Sequence, residues 1–174
     1  EIDTSEDIVR EIKLSSKEII ERIKDRGIVG LGGAAFPTHV KYMVPEDKKA
    51  EYLIINAAEC EPYLTSDNRV ILEHTEEVLI GIEIMKKALN INKAKIGIEA
   101  NKPKAIEALK KLVSQYPGTE VVPLKTKYPQ GAEKQLIYAL TKREVPSGKL
   151  PIEVACVVNN VGTAFAIYQA IQKN

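Results

Sequence analysis

Gly30-Leu31-Gly32-Gly33-Ala34-Ala35-Phe36-Pro37 is the stretch on whose reading the fold turns. Its glycines expose main-chain amides and let a ligand come close to the backbone. Successive N–H groups in such a turn form a concave nest for an anion, typically a phosphate. Ser, Asp and Asn, the usual loop fillers, are absent from it. Gly30, Gly32 and Ala35 satisfy the dinucleotide spacing G-x-G-x-x-[GA], but that fingerprint needs a strand before it and a helix after it. The preceding segment reads as a helix instead. Ser15-Ser16-Lys17-Glu18 forms a capping box, Ile19, Ile20 and Ile23 share one face, and Gly27 is a natural C′ stop. Only Ile28 and Val29 remain to extend. Context thus speaks against the ordinary Rossmann turn and leaves two readings: another kind of nucleotide loop, or a tight turn that packs a helix on a sheet.

Outward from this loop, hydrophobic periodicity sets the organisation. Residues 1–15 are a charged lead-in, and 16–174 read as one domain. Residues 37–43 suit a short helix with Pro37 at its first turn. Apolar runs predict strands over 52–56, 94–99, 120–124 and 154–158, the third towards a sheet edge because Pro123 lacks an N–H. Helices are predicted over 67–73, 75–89, 102–115 and 131–141, and from 161 to the end. Thr75 and Asn101 are the expected caps of the second and third. Val78, Leu79, Ile82, Met85 and Leu89 form the expected inner face of helix 75–89. Ile106, Leu109, Leu112 and Val113 do the same for helix 102–115. Alternation of strand and helix from residue 52 onward predicts an α/β fold, a Rossmann-like, mostly parallel sheet with helices on both faces. The chain has no initiator Met, which suggests a fragment of a longer subunit.

Composition excludes several classes. A length of 174 residues suffices for one sizeable core. The net charge of +1 offers no field for nucleic acid or an anionic membrane. Cys60 and Cys156 form no C-x-x-C pair, which suits a reducing compartment and supplies no metal or cluster ligand set. His39 and His74 stand alone and are read as structural, as are Arg69 and Lys134 as surface residues. Glu59 and Glu61 flank Cys60, and neighbouring negative charge raises a thiol pKa, so an activated thiolate is not expected there. No base-plus-nucleophile constellation is present. Chemistry is therefore expected from a bound cofactor.

In open parallel sheets, ligands bind outside the carboxyl ends of strands. Strand 52–56 ends in Asn56-Ala57-Ala58-Glu59-Cys60-Glu61-Pro62, and strand 154–158 in Asn159-Asn160-Val161-Gly162-Thr163. Strand 120–124 is followed by Tyr128-Pro129-Gln130-Gly131-Ala132-Glu133-Lys134, which opens a helix. Each cluster alone has an ordinary structural reading as a cap, a strand terminator or a solvated charge. Lys41 is either a phosphate partner or a surface residue. Taken together, three polar strand ends and a glycine loop point to a nucleotide-like ligand.

In this order, the glycine loop continued through Thr38-His39-Val40-Lys41, the Asn56 cluster, Gly131-Ala132-Glu133 and the Asn159 cluster resemble the flavin-binding domain of the C subunit of the Rnf electron-transport complex. Pro146-Ser147-Gly148-Lys149-Leu150-Pro151 also looks like that type. More distantly, the chain is similar to the NADH-oxidising 51 kDa subunit of respiratory complex I and to the cobalamin reductase of propanediol utilisation. The resemblance covers nearly all of residues 16–174. It implies a Rossmann-like fold that holds FMN non-covalently and accepts NADH against it. By this resemblance, Gly30, Leu31, Gly32, Gly33 and Lys41 would line the flavin phosphate and ribityl chain, and Asn159, Asn160 and Thr163 would hold the phosphate side. Asn56 and Glu59 would meet the flavin ring, with Gly131 and Glu133 bordering the ring stack. Phe36 would stack on the adenine of NADH, and Glu61 would approach its ribose.

The residues offer no residue-borne catalysis and no metal site in this piece; by the resemblance, [4Fe–4S] clusters belong to a later part of the full-length subunit. Its partners would be the other subunits of a membrane-bound complex at the cytoplasmic face, with ferredoxin reached indirectly. Two positions depart from the respiratory pattern: Ala58 and Ala132 stand where those relatives carry acids, so fewer carboxylates face the ring. Two alternatives stay open, a cobalamin-reductase-type flavoprotein and a docking module that has lost flavin.

Overall fold

The computed structural model describes residues 8–59 and 65–173. The roles expected of Cys60 and Glu61 fall outside the described residues. Four parallel strands, β1 (Tyr52–Ala57), β2 (Lys93–Glu99), β3 (Thr119–Leu124) and β4 (Cys156–Asn160), lie in the order β3-β2-β1-β4. Among them run α1 (Ser16–Asp25), α2 (Thr38–Tyr42), α3 (Ser66–Glu73), α4 (Thr75–Leu89), α5 (Pro103–Leu112), α6 (Glu133–Thr141) and α7 (Val161–Gln172). β3 stands at an edge, as Pro123 requires.

Side chains alternate across each strand, and the two faces bury different partners. Leu53, Ile55, Ile96, Ile98 and Val157 pack against α1, α4, α5 and α7. Ile54, Leu124 and Val158 face the other way, where Leu136, Ile137 and Leu140 of α6 cover them. The expectation of helices on both faces holds, with one helix on the second face. α4 is the central helix. Besides the expected Val78, Leu79, Ile82, Met85 and Leu89, it buries Ile80, Ile84 and Ala88, so it is apolar nearly all round, as a helix enclosed by sheet and neighbours must be. Each of its buried Val, Leu, Ile and Met side chains contributes about 1.5–3 kcal/mol of transfer free energy. Gly81 permits its crossing with α7, because a Cβ there would run into the Ala164 carbonyl.

Local signals hold at α1. Ser15 caps it, and Glu18 returns the bond to the Ser15 N–H at 2.8 Å. Gly27 N–H reaches Lys24 O at 2.9 Å and Ile28 N–H reaches Ile23 O at 3.1 Å, which closes the helix in a Schellman turn. Other details differ. Thr75 does not cap α4; its Oγ1 donates to Ile71 O at 2.6 Å and ties α3 to α4. Lys102, not Asn101, takes the cap position of α5, with Pro103 next to it. The last strand begins two residues later than expected, because 151–154 form a 3-10 turn and Ala155 is left-handed at φ 57°. Asn159 and Asn160 therefore lie in the strand and not beyond it. The lead-in residues Ile8, Ile12 and Leu14 pack on the core, and Val9 N–H donates to Tyr168 Oη at 3.3 Å. Among the described residues, no helix is long and apolar enough to cross a membrane.

Candidate functional site

Strand order locates the site. The chain steps from β1 outward through β2 to β3, then returns to place β4 on the opposite side of β1. The order reverses between β1 and β4, and the crevice beyond their carboxyl ends is where open sheets bind ligands.

The glycine loop closes over this crevice. Its neck is pinched by Gly30 N–H to Phe36 O at 2.8 Å, by Thr38 N–H to Ile28 O at 3.0 Å and by a bridge between Val29 and Pro37. Its body is tied to α7, where Leu31 N–H donates to the buried Thr163 Oγ1 at 3.0 Å. Gly33 turns the chain at φ 113°, a conformation that L side chains rarely adopt. The N–H groups of Gly32 and Gly33 have no partner among the described residues. Leu31 and Phe36 are exposed.

β4 supplies the facing wall. Asn160 caps α7 by accepting from Gly162 N–H at 2.7 Å, and its amide donates to Asp67 Oδ2 at 2.6 Å. A Cβ at Gly32 would stand 3.6 Å from the Asn160 Cβ. Lys41 reaches under the loop, donating to Val158 O at 2.9 Å; a Cβ at Gly30 would lie 3.9 Å from its Nζ. Burial pushes the Lys41 pKa down, while Glu133 acts in the opposite direction. Asn159 points to the back of the sheet. It is 2% exposed, donates to Tyr42 Oη at 3.3 Å and leaves its Oδ1 without a partner among the described residues. Burial raises the Tyr42 phenol pKa beyond its usual range.

β1 supplies the floor. Asn56 donates to Gly131 O and accepts from Ala58 N–H, both at 3.0 Å, and so draws the start of the α6 segment to the strand end. Glu133 opens α6 and is exposed. Glu59 turns away from solvent, accepting from Asp67 N–H at 2.8 Å and Asn68 N–H at 3.2 Å, with Lys102 Nζ 3.5 Å away. It serves as the anionic cap of α3.

Gly30, Leu31, Gly32, Gly33, Lys41, Asn160 and Thr163 are thus brought together. Asn56, Glu59, Gly131 and Glu133 form the adjoining floor, and Asn159 stands behind. Sequence reasoning missed Asp67, Thr38 and Tyr42. Asp67 carries the ordinary signal of an acid in a first helical turn, and Thr38 Oγ1 is buried without a partner among the described residues. His74 is structural as expected, stacked on Phe165 at 4.3 Å and 3.1 Å from Glu77. Arg69 pairs with Glu73 at the surface. Among the described residues, no His, Cys, Asp and Glu cluster has metal-site geometry.

The corner has the chemistry of a phosphate site: a glycine loop whose Gly32 and Gly33 amides have no partner among the described residues is tied through Leu31 to the N-terminal turn of α7. A Cβ on Gly162 would fill the place where Asn160 Oδ1 (3.0 Å), Leu31 Cδ1 (3.5 Å) and Asp67 Oδ1 (3.6 Å) meet.

The Nuo51 FMN-binding domain model matches residues 23–169, and the chain belongs to that family. It is 56% identical over 163 residues to the C subunit of the proton-translocating ferredoxin:NAD(+) oxidoreductase complex of Clostridium ljungdahlii, covering 92% of this chain and 35% of that protein. It is 49% identical to the C subunit of the Na(+)-translocating ferredoxin:NAD(+) oxidoreductase complex of Acetobacterium woodii, over 91% of this chain and 36% of that one. The chain thus spans about a third of the length of these relatives. The fold also matches an NAD+-reducing [NiFe]-hydrogenase in its air-oxidized state, with TM-score 0.76 and 25% identity over 90% of this chain and 30% of that one. The resemblance drawn from the motifs is borne out.

Proposed function

We propose that this chain is the FMN-binding module of an NADH-linked electron-transfer subunit in an ion-translocating ferredoxin:NAD oxidoreductase complex. The observation that carries the reading is the Leu31–Thr163 bond, which sets unpaired glycine amides against the first turn of α7 at the switch point of the sheet. Bound FMN would supply the exchange of a hydride with NAD(H) and the release of electrons one at a time.

The chain's own residues would bind and orient. Gly32 and Gly33 offer amides, and Lys41 a positive charge, to the phosphate and ribityl chain, with Gly30, Leu31, Asn160 and Thr163 shaping the same wall. Asn159 acts from behind by fixing Tyr42 and hence α2. Asn56 retains donor and acceptor capacity beyond its two bonds, for a ring edge. Glu59, Gly131 and Glu133 border the ring. Phe36 presents an exposed face to a nicotinamide nucleotide, and Glu61 is assigned to its ribose. Clusters that take the electrons onward would lie in other parts of the full-length subunit, and partner subunits would hold this domain at the cytoplasmic face of the membrane.

Titration with FMN, followed by quenching of flavin fluorescence and then by NADH under anaerobic conditions, tests this. Saturable one-to-one binding is expected, and no binding would leave a docking module as the reading. Gly32→Val should abolish binding at unchanged melting temperature, because a side chain there meets only ordinary contact with Asn160. Retained binding would remove the loop from the site.

A further inference from the structure

One carboxylate in the phosphate corner has no part in the flavin reading. Asp67, in the first turn of α3, accepts the Asn160 amide through Oδ2. Its Oδ1 lies 3.6 Å from the position a Cβ on Gly162 would take, and Leu31 Cδ1 is 3.5 Å from the same point. The carboxyl therefore looks onto the junction of the glycine loop and α7. A phosphate in that corner and an ionised Asp67 would repel each other, since neighbouring like charges disfavour both being ionised.

The groups around Asp67 do not neutralise it. Glu59, at the end of β1, adds a second negative charge while holding the Asp67 N–H. Lys102, at the start of α5, is engaged with Glu59. Glu99, at the end of β2, is a third carboxylate, itself pushed up chiefly by burial. Arg69 on α3 pairs with Glu73. Residues 30–37 of the loop and the first turn of α7 carry no titratable side chain. Burial, helped by Glu59 and opposed by the Asn160 hydrogen bond, pushes the Asp67 carboxyl up to about 6.

We propose that Asp67 is a proton-linked positioning residue at the phosphate end of the site. Neutral, it keeps Asn160 and the first turn of α7 anchored to α3 and turns a donor hydroxyl towards the bound anion; ionised, it weakens phosphate binding. Phosphate binding above about pH 6 then draws up to one proton from solvent onto Asp67. The inference rests on the flavin reading above.

The test compares FMN affinity of the wild type and Asp67→Asn between pH 5 and pH 8, with riboflavin as the ligand lacking phosphate. The FMN phosphate has its own ionisation near pH 6, so the quantity read is the ratio of the two dissociation constants at each pH. For FMN the wild-type to D67N ratio should rise from about 1 at pH 5 to roughly tenfold at pH 8 for each pK unit by which bound phosphate raises Asp67. For riboflavin it should stay flat. Calorimetry of the wild type at pH 7 in two buffers of different ionisation enthalpy should show net proton uptake on FMN binding, which keeps the question answerable should D67N fold poorly. FMN binding with identical pH profiles in both proteins, or with no proton uptake, overturns the role of Asp67 alone. Absence of FMN binding in either protein overturns the flavin reading with it.

Discussion

The two ends of the sheet are built in opposite ways. At the amino end, Arg143 donates to Glu51 Oε2 at 2.6 Å and to Val154 O at 3.0 Å, with its guanidinium 4.9 Å from the centre of the Tyr52 ring. Lys93 joins Glu51 at 3.3 Å, and Glu51 and Tyr52 N–H groups both reach Ala155 O. Opposite charges meet there and chain direction is locked. At the carboxyl end, the Gly32 and Gly33 amides lack partners among the described residues, Asn159 Oδ1 and Thr38 Oγ1 are buried without partners there, and Asp67 sits beside Glu59 with its pKa raised. Buried polar groups without partners cost stability, about 1–3 kcal/mol each. One end contributes stability, and the other carries exposed loop amides, buried polar atoms and crowded carboxylates around the candidate site.

Breaking what both ends share should have the largest effect. Gly81→Val drives a side chain into the Ala164 backbone between α4 and α7, so the cooperative melting transition and FMN binding are expected to disappear together. A normal transition would mean that the helices part without harm. Next, Arg143→Ala should lower the midpoint of chemical denaturation by removing the donor to Val154 O and one of the two donors to Glu51, with FMN affinity unchanged. A loss of affinity would show that the two ends are not independent.

Thr163→Val keeps shape and removes the acceptor of Leu31 N–H. It should cost about 0.5–1.5 kcal/mol yet weaken FMN severalfold, the reverse pattern to Arg143→Ala. Asp67 gives a pH test of the carboxyl end. Its folded pKa, about 6, lies above the ordinary 3.8, so the folded state binds the proton more tightly. The associated stability is full below pH 4 and is lost as pH rises to about 6. The advantage of D67N over the wild type in melting temperature should therefore grow across that window and level off above it. Smallest of all, Phe36→Ala at an exposed position should change stability by less than about 0.5 kcal/mol while weakening NADH binding to the FMN-loaded chain.

Much of this was legible before the fold. The capping box at Ser15, the stop at Gly27 and the apolar face of α4 are local signals, because caps and periodicity act within a few residues. The glycine loop and the polar strand ends were visible for the same reason. Roles that depend on a distant partner were not. Asn159 and Asn160 are adjacent, yet strand alternation sends one to Tyr42 and the other to Asp67. Glu59 looks like a loop charge until α3 folds back to place its amides on it. Thr75 carries a cap's chemistry but spends it on α3.

The sequence by itself determined the α/β class and nearly every element, and it marked the glycine loop as a candidate ligand loop, since glycine content, periodicity and turn chemistry are properties of short segments. Tertiary structure alone decided the strand order β3-β2-β1-β4, and with it the switch point. That order depends on which hydrophobic strand β4 joins, a choice made by packing across the whole core. The same packing brings Leu31 to Thr163, 132 residues away, and turns a run of glycines into one wall of a cleft.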